Sequence, residues 1–244
     1  MTPVPDTLET AIAQAKVATQ AALAAGCDRL QVELLLPEIT LQAQVLAREF
    51  AEIFADYGSG LKILFTDAGA AALARRDWGE VPFQISDLGS PRMPVTNKIN
   101  EQDRAFLLVS PTAVEVEQVE KLCNLAGERP VLLLIPQLEN VAIVGVGLAA
   151  RQLRERFINT LDSCYYFRPL EGAAVLRAYP SPWQVWLERE SGYELIAQEP
   201  QKPLGDKLEL LISGASQAEA SQGTAPRKKG LLSGLQQFLR ALSQ

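Results

Sequence analysis

The sequence contains no histidine, three cysteines and two methionines among its 244 residues. Without histidine it lacks the side chain that most often serves as general base near neutral pH, and the commonest ligand of transition metals. Catalytic triads built on histidine and the usual catalytic zinc sites are therefore excluded, and no cofactor is expected. Cys27, Cys123 and Cys164 are widely spaced and form no C-x-x-C pair, an odd and sparse set that fits a reducing compartment better than a disulfide-stapled secreted fold. No uninterrupted apolar run reaches the ~18 residues of a membrane-spanning helix. The start, MTPVPDTLET, lacks the basic region and apolar core of a signal peptide, so a cytoplasmic location is expected. Basic residues are outnumbered, 23 against 29 acids for a net charge of −6, so nucleic acid is not an expected partner. There is no G-x-S-x-G and no G-x-x-x-x-G-K-[ST].

What is present is an ordinary globular composition, 48% hydrophobic and 21% charged, too apolar for a disordered chain. Residues 6–25 carry a helical pattern, with Asp6 and Glu9 spaced as a capping box and Gly26 as the stop. Segments 29–37, 61–67, 105–110 and 130–136 read as short buried strands, and 40–56, 68–76, 112–126 and about 148–161 as helices. Residues 77–103 read as irregular, with one short strand at 82–86. This alternation predicts an α/β fold with a mainly parallel, Rossmann-like sheet flanked by helices. From residue 164 the texture changes to close-spaced strands at 164–170, 173–180, 183–191 and 193–198, an antiparallel C-terminal meander. The expected organisation is one α/β domain over 1–214, a flexible linker over 215–229 and a tethered amphipathic helix over 230–244.

Two places carry residue types suited to ligand chemistry. In VAIVGVGLAARQLRERF (141–157), Gly145, Gly147 and Ala150 match G-x-G-x-x-[GA] before a helix. Glycines let backbone N–H groups approach a phosphate, and Arg151 and Arg154 lie near enough to assist. The position past the chain midpoint and the lack of a well-placed acidic ribose partner argue instead for a close-packed turn. The second place is the carboxyl edge of the sheet, where Glu38, Asp67, Ser110 and Gln137 fall at strand ends. Asp67 and Ser110 equally suit helix caps. Glu33, within the strand pattern, calls for a partner or a solvent-facing side. The dense aromatic group Tyr165, Tyr166, Phe167, Tyr179, Trp183 and Trp186 reads either as core or as an exposed patch for a protein partner.

The C-terminal segment gives the sharpest pattern. Leu231, Leu235, Phe238, Leu239 and Leu242 fall on one helical face, and Arg227, Lys228 and Lys229 lie just upstream. Residues 215–244 carry a net charge of +3, which leaves −9 on residues 1–214. A tethered apolar face beside a basic cluster suits an anionic membrane surface, where each nearby cation contributes about 1 kcal/mol. A partner groove or the chain's own body are the alternatives.

The strings QVELLLPEI, LFTDAGAAALARRDWG, VEKLCNLAGERPVLLLIPQLENVAIVGVGLAARQLRERF, CYYFRPLEGAAVLRAYPSPWQVW and YELIAQ, within residues 7–212, resemble the domain-of-unknown-function family 1995 of cyanobacteria and plastids. The resemblance implies a role in photosynthesis. One plastid member is implicated in assembling the inner antenna subunit into photosystem II alongside a thylakoid membrane insertase, and a related domain is joined to a plastid adenylate kinase. It implies no catalytic residues. The expected partners are thus a photosystem II subunit or an insertase, with peripheral contact at the cytoplasmic face of the thylakoid. The competing expectation is a nucleotide- or phosphometabolite-binding enzyme or sensor using 145–151.

Overall fold

The computed structural model describes residues 2–89, 93–138 and 148–220. They gather into two compact units, one drawn from residues 19–33 and 40–163, the other from 1–18, 34–39 and 164 onward.

The first unit is built on parallel strands: β1 (Arg29–Leu34), β2 (Leu61–Phe65), β3 (Gln84–Asp87), β4 (Ala105–Val109) and β5 (Val131–Leu134), side by side in the order β3-β2-β4-β5-β1. The runs LKILF, AFLLV and VLLL are buried at every position, as strands covered on both faces must be. Helices α2 (Ala43–Ala51), α3 (Ala68–Trp78), α4 (Val116–Ala126) and α5 (Leu148–Arg156) belong to this unit. Leu64, Phe106, Leu108, Val131 and Leu133 point to one face, where they pack with Val119, Leu122 and Cys123 of α4 and with Leu153 and Phe157. Phe65 points to the other, its ring 5.9 Å from that of Trp78 on α3. Helices α3 and α4 therefore cover opposite faces. The chain steps from β2 to the outer β3 in one direction and from β4 to β5 in the other. Right-handed crossovers demand that such steps use opposite faces, and the reversal makes a topological switch point between β2 and β4.

The second unit holds an antiparallel meander, β6 (Asp162–Leu170), β7 (Ala173–Ala178), β8 (Trp183–Arg189) and β9 (Gly192–Glu199), followed by α6 (Gly205–Ala220). Tyr166, Val175, Trp183 and Val185 pack with Leu208, Leu211 and Ile212 of α6. Tyr165 faces the other way and donates its hydroxyl to Gln14 Oε1 at 2.9 Å. The aromatic group is core: five of its six members are buried and Tyr179 is half-buried. The exposed-patch reading does not hold.

The expected α/β architecture, with a mainly parallel sheet, flanking helices and a C-terminal meander, is the one observed, and several boundaries move for identifiable reasons. Helix α1 (Leu8–Ala24) is capped by Thr7, whose Oγ1 accepts from the Thr10 N–H at 3.1 Å, while Asp6 binds the Thr10 hydroxyl. The box at Asp6 and Glu9 is one residue out. Its buried stripe is Leu8, Ala11, Ala15, Ala18, Thr19 and Ala22, mostly alanine. Gly26, at φ +86°, ends the helix as expected, with Cys27 N–H donating back to the Ala22 carbonyl at 3.1 Å. Helix 40–56 is interrupted: α2 ends at Ala51 and a 3-10 segment follows, broken at Phe54 and at Gly58, where φ is +50°. Helix α4 begins at Val116 because Glu115 folds back onto Thr112, accepting from its N–H at 2.9 Å and its hydroxyl at 2.7 Å. The expected linker overlaps α6, which continues to Ala220. The rest of it and the terminal helix of 230–244 lie outside the described residues.

Candidate functional site

The carboxyl ends of β2, β3, β4 and β5 form one edge of the parallel unit, and the switch point places the loops after β2 and β4 beside each other there. Three sequence candidates lie on this edge. Asp67 follows β2 and caps α3, its Oδ1 accepting from the Ala70 N–H at 2.9 Å. Ser110 follows β4 with φ +50°, and its N–H donates to the Leu134 carbonyl at 2.9 Å. Gln137 follows β5, exposed, its N–H donating to the Pro111 carbonyl at 2.7 Å. A parallel bridge between Thr112 and Gln137 ties the last two loops together.

Ser110 does not cap α4. Its hydroxyl oxygen is enclosed and has no hydrogen-bond partner among the described residues. Ile135, one residue past β5, also sits at positive φ, +47°. Left-handed backbone at a non-glycine residue costs about 1–2 kcal/mol, so two adjacent strand ends of this edge hold strained backbone. Such strain collects at ligand clamps and switch regions. Glu38, the fourth candidate, is exposed with φ +58° and belongs by contacts to the other unit.

A residue that the sequence reading missed completes the edge. Asp87, the last residue of β3, accepts from Lys98 Nζ at 2.9 Å, with both side chains less than one-fifth exposed. Burial pushes its carboxyl up, but the Lys98 ammonium and the backbone N–H groups of Asp87 and Gly89 outweigh this and hold it below 3.8. Asp87 is thus a fixed anion at neutral pH, unsuited to donating a proton. The signal was present in QISDLG, where one more strand residue ends on an aspartate. What the edge offers is a set of carboxylates already engaged, by a helix terminus at Asp67, an ammonium at Asp87 and a hydroxyl at Glu115, with one unengaged hydroxyl among them at Ser110.

Of the glycine-rich string, Gly145 and Gly147 lie outside the described residues. Arg151 and Arg154 are on α5, Arg151 exposed and Arg154 half-buried. Arg227, Lys228, Lys229, Leu231, Leu235, Phe238, Leu239 and Leu242 also lie outside the described residues. Glu33 finds its partner in Ser163, whose hydroxyl donates to Oε2 at 2.7 Å. Cys123 and Cys164 are fully buried, and desolvation pushes the Cys123 thiol up to about 12, which removes thiolate chemistry there. Among the described residues no cluster of cysteines and carboxylates is placed to hold a metal ion, and no helix is long and apolar enough to cross a membrane.

The amino end of the same strands carries two features that sequence reasoning did not find. A cleft of about 290 Å³ lies at Leu61, between the 3-10 segment after α2 and residues 80–83, lined by Phe54, Pro82 and Phe83 together with Arg48, Glu52 and Glu80. Lys62, the second residue of β2, is buried against Asp103 at 2.5 Å. Neither was legible, because the cleft is made by a helix break and the pair spans 41 residues of sequence.

Residues 5–210 match the sequence model of the family described as Domain of unknown function (DUF1995), a span running from before α1 into α6, and the chain belongs to that family.

Proposed function

We propose that this protein is a non-enzymatic accessory factor at the photosynthetic membrane, assisting the assembly of photosystem II at its inner antenna subunit through protein–protein contacts. The observation that carries this reading is the contrast between an acidic body and a basic amphipathic tail. The charge is −9 over residues 1–214 and +3 over 215–244, with Arg227, Lys228 and Lys229 immediately before the apolar positions Leu231 to Leu242. That tail lies beyond the family match, which ends at 210. An acidic body is repelled by an anionic lipid surface, so a basic apolar tail is the part of the chain able to hold it there. The body would meet its client, a photosystem II subunit or an insertase. Leu41, just before α2, and Val45 on it, 71% and 56% exposed, offer apolar side chains for such a contact.

The test is co-sedimentation of the full chain with phosphatidylglycerol vesicles. At about 1 kcal/mol for each cation, replacing Arg227, Lys228 and Lys229 by glutamine should weaken binding about a hundredfold at low salt. Equal binding by a chain ending at residue 226 would refute the tail's role. A pull-down from solubilised photosynthetic membranes with the same two chains then tests the client, and recovery of no membrane protein by either would refute the assembly role.

A second reading is a nucleotide- or phosphometabolite-binding enzyme or sensor using the glycine-rich turn at Gly145, Gly147 and Arg151; separately, the enclosed Ser110 hydroxyl at the switch point favours a ligand at the carboxyl edge. A thermal-shift screen with ATP, ADP, NAD and NADP distinguishes it, since a ligand at a hundred times its Kd stabilises the fold by about 2.7 kcal/mol. No shift with any of the four would refute this reading.

A further inference from the structure

The cleft at Leu61 is made by a break in helical backbone. At Phe54 and Gly58 the 3-10 segment leaves helical geometry, Gly58 with φ +50°, and residues 80–83 line the same cleft. Its apolar lining is largely aromatic. Phe54 and Leu61 are buried, and Phe83 is half-buried with its ring edge-on to that of Trp78, 6.0 Å between centres. Packing against Trp78 limits how far Phe83 can turn, so this wall stands without a ligand. At about 290 Å³, the cleft has roughly twice the volume of the ~150 Å³ apolar cavity that holds one benzene ring. It lies at the lower limit of small-molecule sites, about 300–1,000 Å³. That size suits one fused ring system rather than a nucleotide.

Two charged side chains of this lining are exposed and unengaged. Arg48 on α2 and Glu80 just after α3 make no hydrogen bond, ion pair or ring contact among the described residues. Glu52, the third charge, already has an interaction within the chain. A guanidinium stacks on the face of an aromatic ring, and on indole best of all. A carboxylate accepts a hydrogen bond from an N–H. Phe54 and Phe83 add the offset and edge-on contacts that aromatic pairs favour. Ring walls, a stacking cation and one acceptor together match an apolar ring system that carries a single donor. Indole is that group. A phenyl ring would leave Glu80 without a donor, and an aliphatic chain would leave Arg48 without a ring face.

Apolar surface continues beyond the cleft. Val45 is three positions before Arg48 on α2, which makes the two neighbours on the helix surface. Leu41 comes just before α2, and both apolar side chains are exposed. A free indole would fill the cleft and leave them uncovered, whereas a polypeptide carrying the ring would cover them as well. We propose that the cleft receives a tryptophan side chain of a partner protein, with Leu41 and Val45 covered by the apolar residues that flank it. Tryptophan is among the residues that most often anchor a protein interface from within a pocket. This anchor rests on the accessory reading, in which the body meets its client through protein–protein contacts, and it names the side chain that the client presents.

The test uses the full chain and N-acetyl-tryptophanamide with fluorine on its indole ring, followed by fluorine NMR, which sees the probe alone. Its resonance should shift or broaden saturably with protein, and N-acetyl-leucinamide should not displace it. Ala55→Phe, which fills the cleft from an exposed position, should abolish binding. Arg48→Ala should weaken it about two- to fivefold, the range of an exposed cation–π contact. Methylating the indole nitrogen should weaken binding to the native chain and make no difference to Glu80→Ala. Should Ala55→Phe fail to fold by circular dichroism, the Arg48 and Glu80 variants, both at exposed positions, decide. An alanine–lysine peptide with one central fluorotryptophan flanked by leucines should bind more tightly than the amide, and Leu41→Ser/Val45→Ser should remove that gain. No saturable response, equal displacement by N-acetyl-leucinamide, or undiminished binding in the cleft variants would overturn the tryptophan anchor. A peptide that gains nothing would overturn a partner protein as its source. Either failure leaves vesicle binding by the tail and the membrane pull-down standing, whereas failure of those two with the cleft still binding indole would count against the accessory reading alone.

Discussion

Removing the Asp103 carboxylate should cost the parallel unit about 3–5 kcal/mol. The Lys62 side chain is 4% exposed and that of Asp103 is fully enclosed, 2.5 Å apart. Lys62 also donates to the Lys98 carbonyl at 2.6 Å. Asp103 in turn accepts from the Asn100 N–H at 2.8 Å and from Gln84 Nε2 at 3.1 Å. In Asp103→Ala the ammonium keeps one carbonyl and no counter-charge, the Asn100 N–H loses its acceptor, and Gln84 Nε2 keeps only the Ser59 carbonyl. Leaving one member of a buried pair uncompensated is what makes the loss large, whereas removing both is far milder. The assay is urea unfolding followed by circular dichroism and by tryptophan emission. For a chain of this size the loss corresponds to a fall in Tm of about 6–20 °C. The double variant Lys62→Met/Asp103→Ala should lose less than the sum of the single changes. A loss below about 1 kcal/mol in Asp103→Ala, or strict additivity in the cycle, would refute the account of a desolvated, mutually compensating pair.

Three further outcomes follow from the same geometry. The folded-state pKa of Asp87 is lowered, so its pairing with Lys98 stabilises the fold above pH 3.8 and is lost as pH falls through the lower folded value; Asp87→Asn should remove about 1 kcal/mol at pH 7 and flatten acid unfolding curves below about pH 4. Thr7→Ala should destabilise α1 by about 1 kcal/mol and Asp6→Ala by less, measured by thermal melts, because the N-cap hydrogen bond is made by Thr7. Of the three thiols, Cys27 is partly accessible while Cys123 and Cys164 are buried, so a chromogenic disulfide reagent should titrate one thiol quickly in the folded chain and the remainder on unfolding.

The alternation of apolar runs with amphipathic segments was enough to read the α/β class, because a strand covered on both faces must be apolar throughout and a helix on a sheet must be apolar on one stripe. Gly26 and Asp67 could be placed for the same local reason: a left-handed stop and an N-cap act within a few residues of sequence. The basic amphipathic pattern of 227–242 is likewise a property of sequence spacing. The features that define the candidate sites are not local. Ser110 reads as a helix cap in the string SPT, but the pairing of β4 with β5 and the fold-back of Glu115 onto Thr112 turn it into an enclosed hydroxyl on strained backbone. Asp87 becomes a fixed anion because the chain returns Lys98 to the end of β3. Short-range hydrogen bonding and hydrophobic period wrote the elements into the sequence. Which polar groups lose water, and which charges find a partner, depended on strand order and register, and those were decided in the tertiary structure.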